Sequence, residues 1–190
     1  MQPTILASAS PRRSDLLGQI GVRFTVIPSD ADEVHTEQLT AVEICQLNAH
    51  RKARAVAKKH PDTLVIGADT LVCLGTRLYG KPRHHDEAAR MLMELQGKSH
   101  HVVTGVSLIH LRSHRESLFA EMTTVTFKPL TELQIQAYLE RINPLDKAGA
   151  YAVQEFGDMI VADVYGSYSN VVGLPVERLR AELDAFESIP

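Results

Sequence analysis

Two arginines lie in the first turn of a predicted helix, in the segment Ser8-Ala9-Ser10-Pro11-Arg12-Arg13. A helix N-terminus presents unpaired N–H groups and about half a positive charge, which suits phosphate oxygens. Cations in that turn oppose the helix dipole unless an anion neutralises them. Arg12 and Arg13 therefore predict an anion site. The alternative is that they are surface arginines that reach acids elsewhere in the fold.

Asp69 is the only charged residue between Asp62 and Arg77, and it lies in an apolar run from Leu64 to Leu74. Desolvating an isolated carboxylate is costly unless a cation, a metal or strong hydrogen bonds compensate. A carboxylate in such a wall can hold a divalent metal or accept a proton from water. Asp69 is therefore a candidate catalytic or metal-binding residue. The alternative is a buried salt bridge that only fixes the packing.

Three lysines could add positive charge to the same site. Lys52 falls on the apolar stripe of its predicted helix, so its side chain faces inward or lines a rim. The alternative is that its methylene groups only cover apolar surface while its ammonium group reaches water. Lys81 follows the Asp69 strand in Gly80-Lys81-Pro82, and Lys147 begins Lys147-Ala148-Gly149-Ala150-Tyr151. Together with the arginines, these lysines could neutralise a triphosphate, which one or two cations could not do.

Other motifs are rejected by their details. The segment 75–81 matches G-x-x-x-x-G-K, but Pro82 replaces the hydroxyl residue that binds magnesium in a P-loop, and no helix pattern follows. The pairs His84-His85 and His100-His101 lack the i, i+4 spacing of a helical zinc site. We find neither a G-x-S-x-G elbow nor a G-x-G-x-x-G dinucleotide fingerprint.

The composition limits the class of protein. A net charge of -3 over 190 residues argues against a general nucleic-acid binder, because such proteins carry a basic excess. The longest apolar stretches fall short of the roughly 20 residues of a membrane helix, and the N-terminus shows no secretion signal. We therefore expect a cytoplasmic protein with no membrane partner. Cys45 and Cys73 lie in apolar patterns and are predicted core residues.

The pattern of elements predicts an α/β fold with a mixed sheet flanked by helices, and the chain shows no internal boundary, so residues 1–190 are treated as one domain. Capping boxes at Thr40 and Thr131 mark two helix starts. The predicted strands cover 4–9, 24–27, 64–74, 102–111, 118–128 and 159–165. The predicted helices cover 11–20, 41–59, 87–95, 132–141 and 175–186, and 28–37 is a predicted acidic loop.

Five motifs in this order resemble the Maf family, and they span nearly the whole chain: Ser8 to Arg13, Gly67-Ala68-Asp69-Thr70, Gly80-Lys81-Pro82, Asp146 to Tyr151 with Gln154, and Val172-Gly173-Leu174-Pro175. The resemblance implies an elongated, twisted, mixed sheet with two lobes around a deep cleft, as in Maf and ITPase-like proteins. It also implies a nucleoside triphosphate pyrophosphatase that cleaves between the α and β phosphates, uses a divalent metal such as magnesium or manganese, and forms a homodimer.

Residue roles follow from the resemblance as well. It makes Asp69 the proton acceptor, places Arg12, Arg13, Lys52 and Lys81 at the phosphates, and gives Glu33 a part in holding the metal with Asp69. The predicted catalytic set is thus Asp69, Glu33, Lys52 and Lys81. The predicted substrate-binding set is Ser8, Arg12, Arg13, Thr70, Lys147 and Gln154.

Three positions indicate a branch of the family. Arg12, Thr70 and Gln154 look like the branch that acts on dTTP and UTP, whereas the branch acting on 7-methyl-GTP has an aromatic residue, a glutamine and a glutamate there. The amide of Gln154 offers a donor and an acceptor, as a uracil or thymine edge does. One departure is Arg51, where many relatives have an acid, and we expect little effect because position 51 points away from Lys52.

Two other functions stay open from the sequence. One is a nucleotide-binding regulator of septum formation and cell division with little turnover, since the resembled family is also associated with that process. The other is the same hydrolysis acting on a purine or modified nucleotide. A regulator would not need a buried carboxylate beside a basic cluster.

Overall fold

The computed structural model describes residues 3–36 and 38–188. The predicted domain 1–190 and the predicted loop 28–37 therefore each extend beyond it: Met1, Gln2, Glu37, Ile189 and Pro190 lie outside the described residues. Within the described ranges, no helix is long and apolar enough to cross a bilayer.

The described residues form a mixed α/β fold. The strands are β1 (Thr4–Leu6), β2 (Thr25–Val26), β3 (Leu64–Leu74), β4 (Arg77–Tyr79), β5 (Ser99–His110), β6 (Arg115–Phe127) and β7 (Val161–Tyr165). The helices are α1 (Pro11–Gln19), α2 (Ala41–Ala57), α3 (His85–Leu95), α4 (Glu132–Leu139), α5 (Tyr168–Val172) and α6 (Val176–Ser188). Short 3₁₀ turns lie at Leu111–Ser113, Pro144–Asp146, Ala148–Ala150 and Gly157–Met159.

One seven-stranded sheet joins these elements in the order β2-β1-β3-β5-β6-β7, with β4 added to β3. β1 pairs in parallel with both β2 and β3, whereas the pairs from β3 through β5 and β6 to β7 are antiparallel. The predicted mixed sheet flanked by helices is confirmed. The hairpin β3-β4 contains Gly75 and Thr76, so the rejected G-x-x-x-x-G-K match forms a strand turn rather than a phosphate loop.

The apolar core is divided along the long central strands. On one face of the sheet, Val72 and Val102 pack in a cluster with α3 and α4, while Ala68 and Val106 pack in another cluster with α1 and α6. The paired threonines Thr70 and Thr104 lie between the two clusters on that face. The two clusters form the cores of two lobes, and a polar strip separates them.

The helix α2 packs on the opposite face of the sheet, and its backbone lies unusually close to β3 and β5. Gly67 and Gly105 lie under this helix, and a methyl group on either would collide with the helix backbone, at Ala49 and Ala53 or at Cys45 respectively. The helix starts at a capping box between Thr40 and Glu43, as predicted. Two small residues in adjacent strands thus let α2 lie directly on β3 and β5.

Element boundaries differ from the predictions in ways that matter near the site. The first strand was predicted to reach residue 9 but ends at Leu6, because the chain then leaves the sheet to begin α1 at Pro11. The predicted cap Ser10 makes no side-chain capping bond, and its N–H instead donates to Ser8 Oγ. β4 and α5 had no sequence prediction, since three- and five-residue elements carry almost no periodicity.

Candidate active site

A cleft opens beside β3, where two neighbouring strands leave a gap. β1 pairs with β3 up to Ile66, and β4 pairs from Val72 onward. In the part of the chain that the structure describes, residues 67–71 of β3 therefore have no strand partner on this edge. The loop after β1 and the turns around residue 147 flank the gap, so the predicted residues Asp69 and Thr70 face it from the floor.

The structure brings the predicted site residues together. The cavity in the cleft is lined by Arg12, Arg13, Glu33, Lys52, Asp69, Thr70, Lys81, Lys147 and Gln154. Ser8 lines an adjoining cavity that shares Arg12, Arg13, Glu33, Lys52 and Lys81 with the first. Six separate segments of the chain contribute these residues, and the structure places them around two adjoining cavities.

Lys52 joins two carboxylates at the centre of the site. Its ammonium nitrogen lies 2.7 Å from Asp69 Oδ1 and 2.6 Å from Glu33 Oε1. Burial alone would raise the pKa of Glu33, but the hydrogen bond to Lys52 and the charges of Lys52 and Lys81 outweigh it, so the pKa of Glu33 is lowered. Glu33 and Asp69 therefore converge on one point with Glu33 held ionised. The expected inward direction of Lys52 is confirmed.

Arg13 is held beneath the cavity by neutral acceptors. It donates to Gly173 O at 2.9 Å, to Ser8 Oγ at 3.2 Å and to Thr70 Oγ1 at 3.0 Å. Burial lowers the pKa of Arg13, and the charge of Asp69 partly offsets this. The guanidinium is thus a fixed positive charge without a direct acidic partner among the described residues, which favours an incoming anion.

Arg12 contacts the other side of the cleft. Its guanidinium binds Asp146 Oδ2 at 2.7 Å and the Asp146 carbonyl at 3.0 Å. For Arg12, the alternative expected from the sequence was a contact with an acid elsewhere in the fold, and the structure contains this contact. Burial would raise the pKa of Asp146, but hydrogen bonds from Lys147 and Arg12 lower it. Asp146 thus links the basic turn at the start of α1 to the segment that carries Lys147.

Lys147, a predicted substrate-binding residue, is almost fully buried. Only 4% of Lys147 is exposed, and its ammonium contacts Asp146, Glu155 and the carbonyl of Asn143. Lys81 and Gln154, by contrast, are exposed residues on the lining of the cavity. The structure therefore offers Lys81 and Gln154 as groups that face solvent at the cavity, while Lys147 orders the loop beside it.

An aromatic wall closes one part of the cavity. Tyr151 lines the cavity and shares a hydrogen bond of 2.8 Å with His100, and its ring packs edge-on against Phe127. Burial, helped by the charge of His101, lowers the pKa of His100 to about 4, so this imidazole is neutral at pH 7. Burial also raises the pKa of Tyr151 well above its usual value. The wall is therefore uncharged at pH 7, which suits a flat, uncharged group.

Three residues of the site were missed by sequence reasoning. Asn48 donates to Asp69, Asp146 binds Arg12, and His100 supports Tyr151. A signal existed for Asn48, since it lies four residues before Lys52 and is polar within the buried stripe of α2. Asp146 stands within a quoted motif, but nothing local reveals a partner 134 positions away.

In residues 3–36 and 38–188, no group of three or more histidine, cysteine, aspartate or glutamate side chains is placed to hold a metal ion. Cys45 and Cys73 are both free and buried, as predicted. Oxygens of substrate or water commonly complete the coordination of a magnesium ion that one or two carboxylates hold.

Comparison with known families adds a separate observation. The sequence matches the family described as Maf-like protein over residues 3–186. The chain belongs to the Maf family. The Maf resemblance drawn from five motifs is thus confirmed.

Similar Maf proteins carry a consistent name. A protein of Desulforamulus reducens named dTTP/UTP pyrophosphatase is 45% identical over 98% of this chain and 97% of its own length. A protein of Halalkalibacterium halodurans with the same name is 46% identical over 94% of this chain and 93% of its own. A third, from Acetivibrio thermocellus, is 46% identical over 98% and 96%.

Solved structures support the fold. The Staphylococcus aureus Ham1 protein superposes with a TM-score of 0.57 at 16% identity, covering 97% of this chain and 99% of its own. A HAM1 protein from Coxiella burnetii gives a TM-score of 0.53 at 13% identity, covering 97% and 100%. At these identities the likeness concerns the architecture of this Maf chain.

Proposed function

We propose that this chain is a nucleoside triphosphate pyrophosphatase that hydrolyses dTTP and UTP to the monophosphate and pyrophosphate. The observation that carries the proposal is the pair of carboxylates Asp69 and Glu33, joined by Lys52 and flanked by Arg12, Arg13 and Lys81 in one cavity. An acid pair beside a cluster of cations matches the needs of phosphoryl chemistry, which are a proton acceptor and charge neutralisation. The shared name of the relatives supports the same activity.

The residues divide the work by charge. Asp69 accepts the proton of the attacking water, because its carboxylate sits at the floor of the cavity and is held by Lys52. Arg12, Arg13, Lys52 and Lys81 offset the negative charge on the phosphates, and this makes pyrophosphate a better leaving group. Ser8 supports Arg13, because its hydroxyl oxygen accepts a hydrogen bond from the Arg13 guanidinium. Water attacks the α-phosphorus in this proposal.

The carboxylates fit a divalent metal. Magnesium is commonly bound by one or two protein carboxylates together with substrate phosphates, and manganese accepts the same oxygen ligands. Glu33 and Asp69 provide two carboxylates that meet the same ammonium group, so their oxygens lie within a few ångströms of one another. We propose that these two residues hold magnesium or manganese. Such an ion would supply charge stabilisation for the phosphates.

Base selection is assigned to the exposed part of the cavity. Among the described residues, the amide of Gln154 has no hydrogen-bond partner, so it can pair with a pyrimidine edge. Tyr151 with Val72 and Val102 supplies an apolar wall. Arg12 lies at the junction of both cavities, so it can meet the phosphates and the nucleoside. Thr70 already binds Arg13 and Thr104, so we assign it to holding Arg13.

An assay with a panel of nucleoside triphosphates tests the proposal. Each triphosphate is incubated with the protein and with magnesium or manganese, and pyrophosphate is measured separately from phosphate. We expect pyrophosphate from dTTP and UTP, and slower release from GTP and ATP. Hydrolysis confined to purine or modified nucleotides would correct the substrate. Absence of pyrophosphate from every substrate would favour the alternative of a nucleotide-binding regulator of cell division.

Three further expectations stay predictions. We propose that residues 1–190 act as one domain, that the enzyme works in the cytoplasm, and that it forms a homodimer. We expect no nucleic-acid or membrane partner. Gel filtration with light scattering and fractionation of cells would test these statements.

A further inference from the structure

Asn48 is a buried amide whose hydrogen-bonding groups are all used within the site. Only 1% of this residue is exposed. Its Nδ2 donates to Asp69 Oδ2 at 3.0 Å and to the Val34 carbonyl at 3.2 Å, while its Oδ1 accepts from the Val34 N–H at 2.7 Å. A carboxylate can only accept, so the amide must turn its NH₂ toward Asp69, and the same orientation satisfies Val34.

One helix thus supplies a donor to each oxygen of Asp69. Asn48 and Lys52 are four residues apart on α2, and they therefore lie on the same face of the helix. Asn48 meets Oδ2 and Lys52 meets Oδ1. Two donors on the two oxygens fix the rotation of the carboxylate group. Asp69 is therefore oriented by α2, not by its own strand.

The same amide controls the loop that carries Glu33. Val34 is the residue that follows Glu33, and both its backbone groups bind Asn48. Glu33 itself binds Lys52 at 2.6 Å. The contacts close a ring that runs from Asn48 through Asp69, Lys52 and Glu33 to Val34 and back. Asn48 is the neutral member of this ring, and it touches both the strand and the loop.

We propose that Asn48 is a positioning residue that holds Asp69 and Glu33 in their working arrangement. The proposal rests on the pyrophosphatase function proposed above. Loss of a group that orients reacting or metal-binding side chains commonly costs roughly 10-fold to 100-fold in activity. Asn48 is almost fully buried and bonds only to Asp69 and Val34 among the described residues, so its loss should lower kcat more than it changes KM.

Two variants separate the contacts of Asn48, and a third controls for packing. Asn48→Ala removes every bond of the amide. Asn48→Asp keeps the shape and the acceptor for the Val34 N–H but replaces the donor to Asp69 with a like charge. Val56→Ala removes apolar contacts at a buried site two turns further along α2, which leaves Asp69 and the loop alone.

The measurements are kcat and KM for dTTP, with folding checked by circular dichroism, and the hydrogen exchange of the Val34 amide. We expect a loss in kcat of roughly 10-fold to 100-fold for both Asn48 variants and a change under about threefold for Val56→Ala. Val34 should exchange faster in Asn48→Ala but stay protected in Asn48→Asp and Val56→Ala.

Contrary results would overturn the inference. If the Asn48→Ala and Asn48→Asp proteins are folded and have the same kcat as Val56→Ala, Asn48 does not position the carboxylates. If Val34 exchange is the same in all variants, the loop is not held by this amide. Failure of the proposed function would look different, because the unaltered protein would then release no pyrophosphate, while the exchange of Val34 would still decide whether the amide holds the loop.

Discussion

Lys52 is the residue on which the chemistry of the cleft converges, since one ammonium group meets the carboxylates of Asp69 and Glu33. Removing either partner of a buried ion pair leaves the other uncompensated, which is strongly destabilising. The site is therefore a set of mutually dependent groups. Variants that keep shape while changing one property of a side chain are the most informative tests here.

Asp69→Asn keeps the shape of the side chain but removes its basicity and its charge. We expect kcat for dTTP to fall roughly 10²-fold to 10⁴-fold, which is the usual contribution of a positioned general base. The measurement is steady-state kinetics with pyrophosphate detection, and the control is a thermal melt that shows a folded variant. Near-normal turnover by a folded Asp69→Asn protein would remove the proton-acceptor role.

Gln154→Glu exchanges a donor and acceptor for a carboxylate at the lining of the cavity. We expect kcat/KM for dTTP and UTP to fall about 10-fold to 100-fold, because the charge replaces the amide donor and repels the phosphates. Gln136→Glu makes the same chemical change on an exposed position of α4 and should leave the kinetics unaltered. Equal kinetics for the two variants would exclude a role of Gln154 in reading the base.

The helix α2 is the element that determines the geometry of the centre, because it carries both Asn48 and Lys52 and lies directly on β3 and β5. Its position is set by Gly67 and Gly105, which permit the close approach. A shift of this helix would move both donors away from Asp69 together. Activity and stability are therefore linked through the contact between α2 and the sheet.

Gly67→Ala should lower both properties. The added methyl group collides with the backbone of Ala49 and Ala53, so α2 must move, and overpacking of this kind costs about 1 to 3 kcal/mol of unfolding free energy. We expect kcat to fall as well. Steady-state kinetics and urea unfolding on the same preparation measure the two effects. Gly18→Ala is the matched control, since among the described residues a methyl group there meets no atom within 4 Å apart from its chain neighbours and the backbone of its own helix. Stability loss with unchanged kcat would show that α2 does not set the site.

The sequence predicted the long elements and most of the charged residues that line the cleft, but not the contacts between them. Periodicity and capping boxes at Thr40 and Thr131 were enough to place α2 and α4. Isolated charge in an apolar run was enough to single out Asp69. The link between Arg12 and Asp146 was beyond reach because it depends on how two distant segments meet across the cleft. The seating of α2 on Gly67 and Gly105 depends on tertiary packing in the same way.

The molecule as a whole has its polar site between two apolar cores, one at each end of the long strands. The wall formed by His100, Tyr151 and Phe127 belongs to one of these cores and also borders the cavity. The protonation of His100 therefore connects the stability of that core to pH. This connection can be measured independently of catalysis.

Stability should fall between pH 6.5 and pH 4 in part through His100. Its pKa is lowered to about 4 by burial, from an ordinary value of 6.5, so the unfolded chain binds more protons in this range. The free energy of unfolding is therefore unaffected by His100 above the pKa of the unfolded chain. It decreases as the pH falls toward 4, by up to about 3 kcal/mol. His100→Gln should flatten the curve of unfolding free energy against pH, whereas His85→Gln, at an exposed position, should not. Parallel curves for all three proteins would contradict this account.

The central claim is that water attacks the α-phosphorus of dTTP in the cleft around Asp69. The most direct measurement is hydrolysis of dTTP in ¹⁸O-labelled water, with mass spectrometry of both products. The account predicts equal amounts of dTMP and pyrophosphate, with one ¹⁸O atom in dTMP and none in pyrophosphate, and formation of both products roughly 10²-fold to 10⁴-fold slower with Asp69→Asn. Label in pyrophosphate, or release of phosphate instead of pyrophosphate, would contradict it.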